Sequence, residues 1–195
     1  MSGSTRERFD PACRQWIDKS GWNGLDHGTP LTVVSDDGYT CERENDKSDW
    51  PSGWTVRCLQ PHNSADGKTA VIRLRMTKKD LYGTIGMCTP HARPTFWLGA
   101  EKLSVGLHCA CDDREVPVYK FGVVTSPAIT KSFEVGQELR LELTPERTLK
   151  YIVDGVELLR QTLIPDGWVF AVGGCGKTAF EILDDDLDPP VAIAA

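Results

Sequence analysis

The segment Ala171–Thr178 has the spacing of a phosphate-binding loop, with Ala171 in place of the first glycine. Such a loop needs a strand before it and a helix after it, so that backbone amides can wrap a phosphate. Trp168–Val172 can supply the strand, but only Ala179–Leu183 separates the motif from three carboxylates at Asp184–Asp186, which repel a triphosphate. We therefore expect a glycine-rich turn that joins the last two strands, with nucleotide binding as an alternative.

Cysteine and histidine side chains cluster in two places, at Cys88 with His91 and at His108 with Cys109 and Cys111. Residues of these types could together bind a zinc ion if the fold brought the two groups close to each other. Cys109 and Cys111, however, are two apart on a predicted strand and share one face, as small core residues also do. Because there is no second compact Cys-x-x-Cys pair, we expect no metal site and no cofactor.

Carboxylates that could hydrolyse a glycosidic bond must lie as a pair beside a cleft. Glu142 is the nearest candidate, but Arg140 and Thr144 flank it at the relevant spacing. The acidic run Asp184–Asp188 fits a solvated tail better than a calcium site. We expect no catalytic residue and no enzyme activity, and a hydrolase remains a less favoured alternative.

Two loop-like segments combine aromatic and polar residues. The first contains Trp50 and Trp54, and the second contains Arg93 beside Phe96 and Trp97. Tryptophan and arginine are enriched at interface hot spots, and functional residues favour loops on a rigid scaffold. We predict that these five residues bind a partner, although Trp54 and Trp97 fit equally well as caps on the core.

The elements that must position these loops are mostly strands. Leu139, Leu141 and Leu143 alternate with polar residues, which is typical of a half-buried strand. Asp154-Gly155 lies between two apolar runs and predicts a hairpin. Further strands are predicted at 31–34, 71–76, 84–88, 104–111, 116–124, 149–153 and 156–159, with a last pair at 168–172 and 179–183.

A short helix is predicted before the strands. Asp10-Pro11 supplies an N-cap and a first-turn proline, and Gly21 ends the segment. Phe9, Cys13, Trp16 and Ile17 then share one face. The helix is expected to pack on the main body, or else to dock a partner.

Composition limits the partners. The chain has 195 residues, 40% of them hydrophobic, and a net charge of -6. Its one dense basic stretch, Arg73 to Lys79, is interpreted as the solvated face of a strand, so we expect no nucleic-acid ligand. No stretch approaches the ~20 apolar residues that cross a bilayer. The seven cysteines and the polar N-terminus favour a reducing compartment, such as the cytoplasm.

The order of motifs from about residue 30 to 183 resembles the SPRY domain of the concanavalin-A-like sandwich superfamily. Phe133–Leu143 followed by Leu149–Gly155 is similar to the family's turn, alternating strand and hairpin, with Gln137 for the usual Asp and Asp154 for the usual Asn. Tyr82–Met87, Ser104–Leu107, Pro165–Val172 and Leu31–Cys41 also resemble family segments. No PRY extension is evident, and Ala70–Arg73 lacks the family's aromatic strand motif.

The resemblance implies an all-β, two-sheet antiparallel sandwich that binds peptides or protein surfaces through edge loops. We therefore predict an N-terminal helical segment over residues 1–29, a sandwich over 30–183 and a flexible acidic, proline-containing tail over 184–195. The predicted function is a non-catalytic adaptor or targeting module. A carbohydrate-binding lectin of the same superfamily is the first alternative.

Overall fold

The computed structural model describes residues 16–18, 33–34, 40–42, 54–58, 64–79, 82–90, 98–99, 102–109, 116–129 and 132–183. Within these residues the chain forms fourteen strands and one 3-10 turn at Ser64–Asp66. The strands are β1 (Trp16–Asp18), β2 (Val33–Val34), β3 (Thr40–Glu42), β4 (Trp54–Cys58), β5 (Ala70–Lys78), β6 (Tyr82–Cys88), β7 (Ser104–His108), β8 (Val116–Lys120), β9 (Val123–Ile129), β10 (Glu138–Leu143), β11 (Leu149–Val153), β12 (Val156–Gln161), β13 (Val169–Cys175) and β14 (Ala179–Ile182).

The strands make two antiparallel sheets of seven strands each. The first sheet has the order β1-β4-β13-β6-β7-β8-β9, and the second has the order β12-β11-β10-β5-β14-β3-β2. Every described strand pairing is antiparallel. The predicted all-β two-sheet sandwich is therefore confirmed.

Strand alternation fills the space between the sheets. The predicted alternating strand is β10, whose Leu139 and Leu141 pair with Leu74 and Ile72 of β5. All four are buried in the main core. Burying a leucine or isoleucine side chain contributes about 1.5–3 kcal/mol, so this period-two pattern both selects strand structure and holds the sheets together. Phe133, Tyr151, Phe170 and Phe180 complete the core as its largest fully buried side chains.

The predicted hairpin at Asp154-Gly155 is confirmed. Asp154 and Gly155 have φ angles of 47° and 80°, the left-handed conformation that a tight two-residue hairpin turn requires. The carboxylate of Asp154 accepts hydrogen bonds from the Glu138 backbone N–H at 3.0 Å and from Gln137 Nε2 at 2.8 Å. The two residues that differ from the family pattern, Gln137 and Asp154, thus contact each other.

The prediction of an N-terminal helix is wrong at the residues that the structure describes, because Trp16–Asp18 form strand β1. β1 pairs with β4 and places Trp16 opposite Cys58. Trp and Ile are also strand formers, and pairing with a sheet edge outweighs a helical spacing of apolar residues. The rest of the predicted helix, and residues 184–195, lie outside the described residues.

Two further strand predictions need correction. Residues 116–124 were expected to form one strand, but they include a turn at Phe121-Gly122 that joins β8 to β9. Both turn residues have positive φ, and a phenylalanine in that position gives no turn signal. The last two strands do not pair with each other, since β13 lies in the first sheet and β14 in the second.

Candidate partner-binding surfaces

The strand connections collect at two ends of the sandwich, which we name after the two ends of β6. At the Cys88 end lie the connections 64–69, 121–122, 144–148 and 162–168. Connection 162–168 is hydrogen-bonded to 64–69, to 144–148 and to Lys120 at the end of β8. At the Tyr82 end lie the connections 134–137, 154–155 and 176–178.

The two predicted binding segments join the sandwich at opposite ends. Trp54 begins β4 and pairs with Gly174 of β13, which in turn pairs with Gly83 beside the start of β6. Glu42 ends β3 opposite Ala179. Residues 43–53, which include Trp50, therefore connect two strands at the Tyr82 end.

The second segment leaves β6 at the Cys88 end. Thr89 N–H donates to the Leu103 carbonyl at 3.0 Å, and the described chain resumes at Leu98. Trp50, Arg93, Phe96 and Trp97 lie outside the described residues, as does the side chain of Trp54. Their role in binding stays a prediction, but the topology attaches the two segments to different ends.

Leu98 and Gly99 return over the outer face of the first sheet. Leu98 is buried with Cys88, Val169 and Ala171 in a small second core. The Leu98 carbonyl carbon and oxygen pack on Gly106, where an added Cβ would lie 2.4 Å from that oxygen. Sequence reasoning missed this contact, although a glycine inside a strand is a signal of close backbone approach.

His108 holds the same segment in place. Its Nε2 donates to the Leu98 carbonyl at 3.2 Å, and the residue is 7% exposed. Burial lowers the pKa of His108 to about 4, against the opposing effect of the bond to Leu98. His108 is thus a neutral structural side chain at pH 7.

The described members of the candidate zinc cluster do not all lie on one side of the first sheet. Cys88 lies in the small core outside the first sheet, whereas Cys109 lies in the main core between the sheets. Cys109 Sγ accepts the Gly83 N–H at 2.8 Å. Among the residues that the structure describes, no three metal-binding side chains come together. His91 and Cys111 are outside them.

The phosphate-loop motif does not have the geometry of such a loop. Its first residues are part of β13, and Gly176–Thr178 then cross to β14 in the other sheet, where a phosphate loop would continue into a helix. Thr178 N–H donates to the Gly176 carbonyl at 3.0 Å, so that amide is already used. The glycine-rich connection between the last two strands is confirmed, and it links the two sheets.

The outer face of the second sheet carries ion pairs in rows across its strands. Arg73 pairs with Glu138 at 2.8 Å and Arg75 with Glu181 at 3.1 Å, while Lys78 pairs with Glu42. Glu142, the glycosidase candidate, pairs with Arg140 and Lys150. The basic stretch is therefore a solvated strand face with its charge compensated, as the sequence predicted.

Two chemical findings concern the environment of the chain. Cys41, Cys88 and Cys109 are buried free thiols. No helix within the described part is long and apolar enough to cross a membrane.

Comparison with known proteins gives the fold. No protein-family model matches this sequence, and no curated protein is similar enough to count as a relative. The solved TRIM65 PSpry domain matches with a TM-score of 0.62 at 14% identity, covering 79% of this chain and 86% of that one. A human SPRY domain matches with a TM-score of 0.55 at 14% identity, covering 77% of this chain and 93% of that one.

The stonustoxin structure also contains this arrangement. It matches with a TM-score of 0.57 at 13% identity, covering 78% of this chain but 25% of the toxin chain. The resemblance drawn from motif order is thereby confirmed at the level of fold: the chain has a SPRY-like fold.

Proposed function

We propose that this SPRY-like chain is a non-catalytic module that recognises a protein or peptide through the connections between its strands. The observation that carries the proposal is the SPRY fold itself, because SPRY domains typically bind peptides or protein surfaces in this way. No cofactor is needed, since a preformed pocket with a few polar anchors is enough for recognition.

The two sheet faces support the connections as the binding surface. The second sheet's outer face carries ion pairs in which each charge is already compensated by a neighbouring strand or residue, so these charges are less free to anchor a ligand. The described outer face of the first sheet is made of small buried residues, among them Gly86, Gly106 and Ala171. In the described part of the two faces, the exposed cations Arg75 and Arg140 already have carboxylate partners, and the small residues of the first sheet offer little side-chain surface to a ligand.

The test uses separate variants, because the two binding segments attach at different ends of the sandwich. A partner is first recovered with the full chain and purified, and its affinity is then measured for Trp50→Ala and for Arg93→Ala. We expect at least one variant to weaken binding by tenfold or more, which corresponds to about 1.4 kcal/mol. Lys150→Ala, on the ion-paired face, is the matched control and should bind as wild type does.

If both variants bind the partner with wild-type affinity and unfold at the wild-type temperature, the chosen residues are wrong. Loss of binding in the control alone would move the surface to the second sheet. The proposal as a whole fails if no protein or peptide binds in a concentration-dependent, saturable manner.

A lectin and a hydrolase are the competing functions. A glycan array with and without a calcium chelator separates the lectin, whose binding would be lost on chelation. A nucleotide hydrolysis assay with Lys177→Ala separates the NTPase, whose activity this change would abolish. We expect neither sugar binding nor nucleotide turnover by the wild-type chain.

The proposed site of action is a reducing compartment inside the cell. The buried free thiols of Cys41, Cys88 and Cys109 support it, because an oxidising compartment favours paired cysteines. Fractionation of the cells that make the protein, with thiol counting under native conditions, tests this assignment.

A further inference from the structure

The Cys88 end carries three exposed aliphatic side chains. Leu103, Val123 and Leu163 are 48%, 63% and 64% exposed. Lys120 connects two of them, since it pairs with Val123 across the β8–β9 hairpin and its Nζ donates to the Thr162 carbonyl at 2.6 Å, next to Leu163. We call Leu103, Val123 and Leu163 the apolar rim.

Leu103 joins the rim through backbone contacts. It immediately precedes Ser104, whose carbonyl accepts the Phe121 N–H at 3.0 Å in the same β8–β9 turn. The three aliphatic residues thus belong to connections that hydrogen bonds hold side by side. Exposed aliphatic side chains that gather on one part of a surface are typical of a contact site.

Two features are unfavourable for a leucine at position 163: its backbone conformation and its exposure to solvent. Its φ angle of 63° places it in the left-handed region, which suits Gly or Asn and is unfavourable for leucine. Its side chain is also mostly in solvent. Neither the turn nor the core explains a leucine here, whereas contact with an apolar segment does.

The chain itself supplies such a segment beside this end. β14 runs towards the Cys88 end, and Leu183, just after it, donates its N–H to the Arg73 carbonyl at 3.0 Å. Four strand spacings of roughly 4.8 Å separate β14 from β12, which leads into Leu163. That is roughly 20 Å, and seven extended residues at about 3.3 Å each span it, so residues after Pro190 reach the rim.

The segment has its acidic residues before its aliphatic residues. Residues 184–188 carry four aspartates, and 189–195 are prolines and small or aliphatic residues. On the way from β14 to Leu163 lie the exposed cations Lys68 and Arg147, and the Arg147 carbonyl accepts the Ile164 N–H at 3.0 Å. Glu146 and Asp166 also lie at this end; Asp166 accepts hydrogen bonds from Ser64, and its charge also interacts with that of Arg147, whereas Lys68 is exposed.

From these observations we propose that residues 184–195 dock on the Cys88 end of their own chain. The aspartates lie beside Lys68 and Arg147, and Val191 and Ile193 cover the apolar rim. Along the segment, acidic residues come first and aliphatic residues second. Along the surface, the cations come first and the apolar rim second, so the two orders match.

Methyl NMR of the full chain tests the proposal directly. Val191→Asp with Ile193→Asp removes the apolar contact without touching a described strand. The methyl resonances of Leu103, Val123 and Leu163 should shift in this variant. Those of Val135 and Val156, exposed at the opposite end, are the internal control and should stay in place.

A reciprocal variant and a dilution series complete the test. Leu163→Asn suits the left-handed backbone, so it keeps the turn while it shifts the Val191 and Ile193 methyl resonances. Unchanged rim resonances in the Val191→Asp/Ile193→Asp variant would overturn the proposal. Rim shifts that disappear on dilution would also overturn it, because they would assign the contact to a second copy of the chain.

Discussion

The buried polar side chain of His108 has a structural role in this sandwich. His108 donates to the Leu98 carbonyl and fixes the segment that returns over the first sheet. Its cluster of neighbouring cysteines indicated metal chemistry in the sequence, yet Cys88 and Cys109 lie on different sides of that sheet. A sequence gives the spacing of ligands but not the side of the sheet to which each belongs.

His108 makes stability depend on pH. Its pKa is near 4 in the folded chain and about 6.5 when unfolded, so the unfolded state binds the proton more tightly. The free energy of unfolding is therefore unaffected by this proton above pH 6.5, and it falls by about 3 kcal/mol as the pH decreases from 6.5 to below 4. Urea unfolding of His108→Gln and wild type across this range should give a shallower pH slope for the variant, and equal slopes would contradict this assignment.

Gly106 is required by the close approach of Leu98. A Cβ at this position would lie 2.4 Å from the Leu98 carbonyl oxygen, so Gly106→Ala must displace the segment. We expect the free energy of unfolding to fall by about 2 kcal/mol, as is usual for overpacking. Gly136→Asn is the control, because nothing lies near its Cβ position and Asn tolerates a positive φ. Chemical denaturation of both variants decides, and equal losses would refute the steric explanation.

Individual elements were predictable where two local signals agreed. β10 and the hairpin at Asp154-Gly155 combine clean alternation with turn residues, and both are confirmed. β1 and the Phe121-Gly122 turn were missed because their local signals point to other structures. Pairing of β1 with β4 overrides its helical spacing, and the β8–β9 hairpin tolerates a left-handed phenylalanine.

Asp154 stabilises the β11–β12 turn through its side chain as well as its backbone. Asp154→Ala removes the acceptors of the Glu138 N–H and Gln137 Nε2 and leaves alanine at a φ of 47°. The loss should be about 1–2 kcal/mol in thermal or chemical unfolding. Asp154→Asn keeps an acceptor and tolerates the turn, so it should lose about 0.5 kcal/mol or less. An alanine variant as stable as the asparagine variant would contradict this role.

The whole molecule separates its surfaces by role. One outer face is covered by ion pairs, the other is formed in its described part by small buried residues, and the connections gather at the two ends. Motif order was enough to predict the sandwich, because strand periodicity and turn chemistry are local. It was not enough to place Trp54 and the 91–97 segment at opposite ends, since that depends on which strands pair across the sheets.

Amide hydrogen exchange of the full chain, free and saturated with its purified partner, tests the central claim most directly. We predict that the partner slows amide exchange within residues 43–53, within residues 91–97 or within both. The exchange rates of the amides of β10, β11 and β12 should not change. Protection confined to β10–β12, or no change in either connection at saturation, would contradict recognition through the loops.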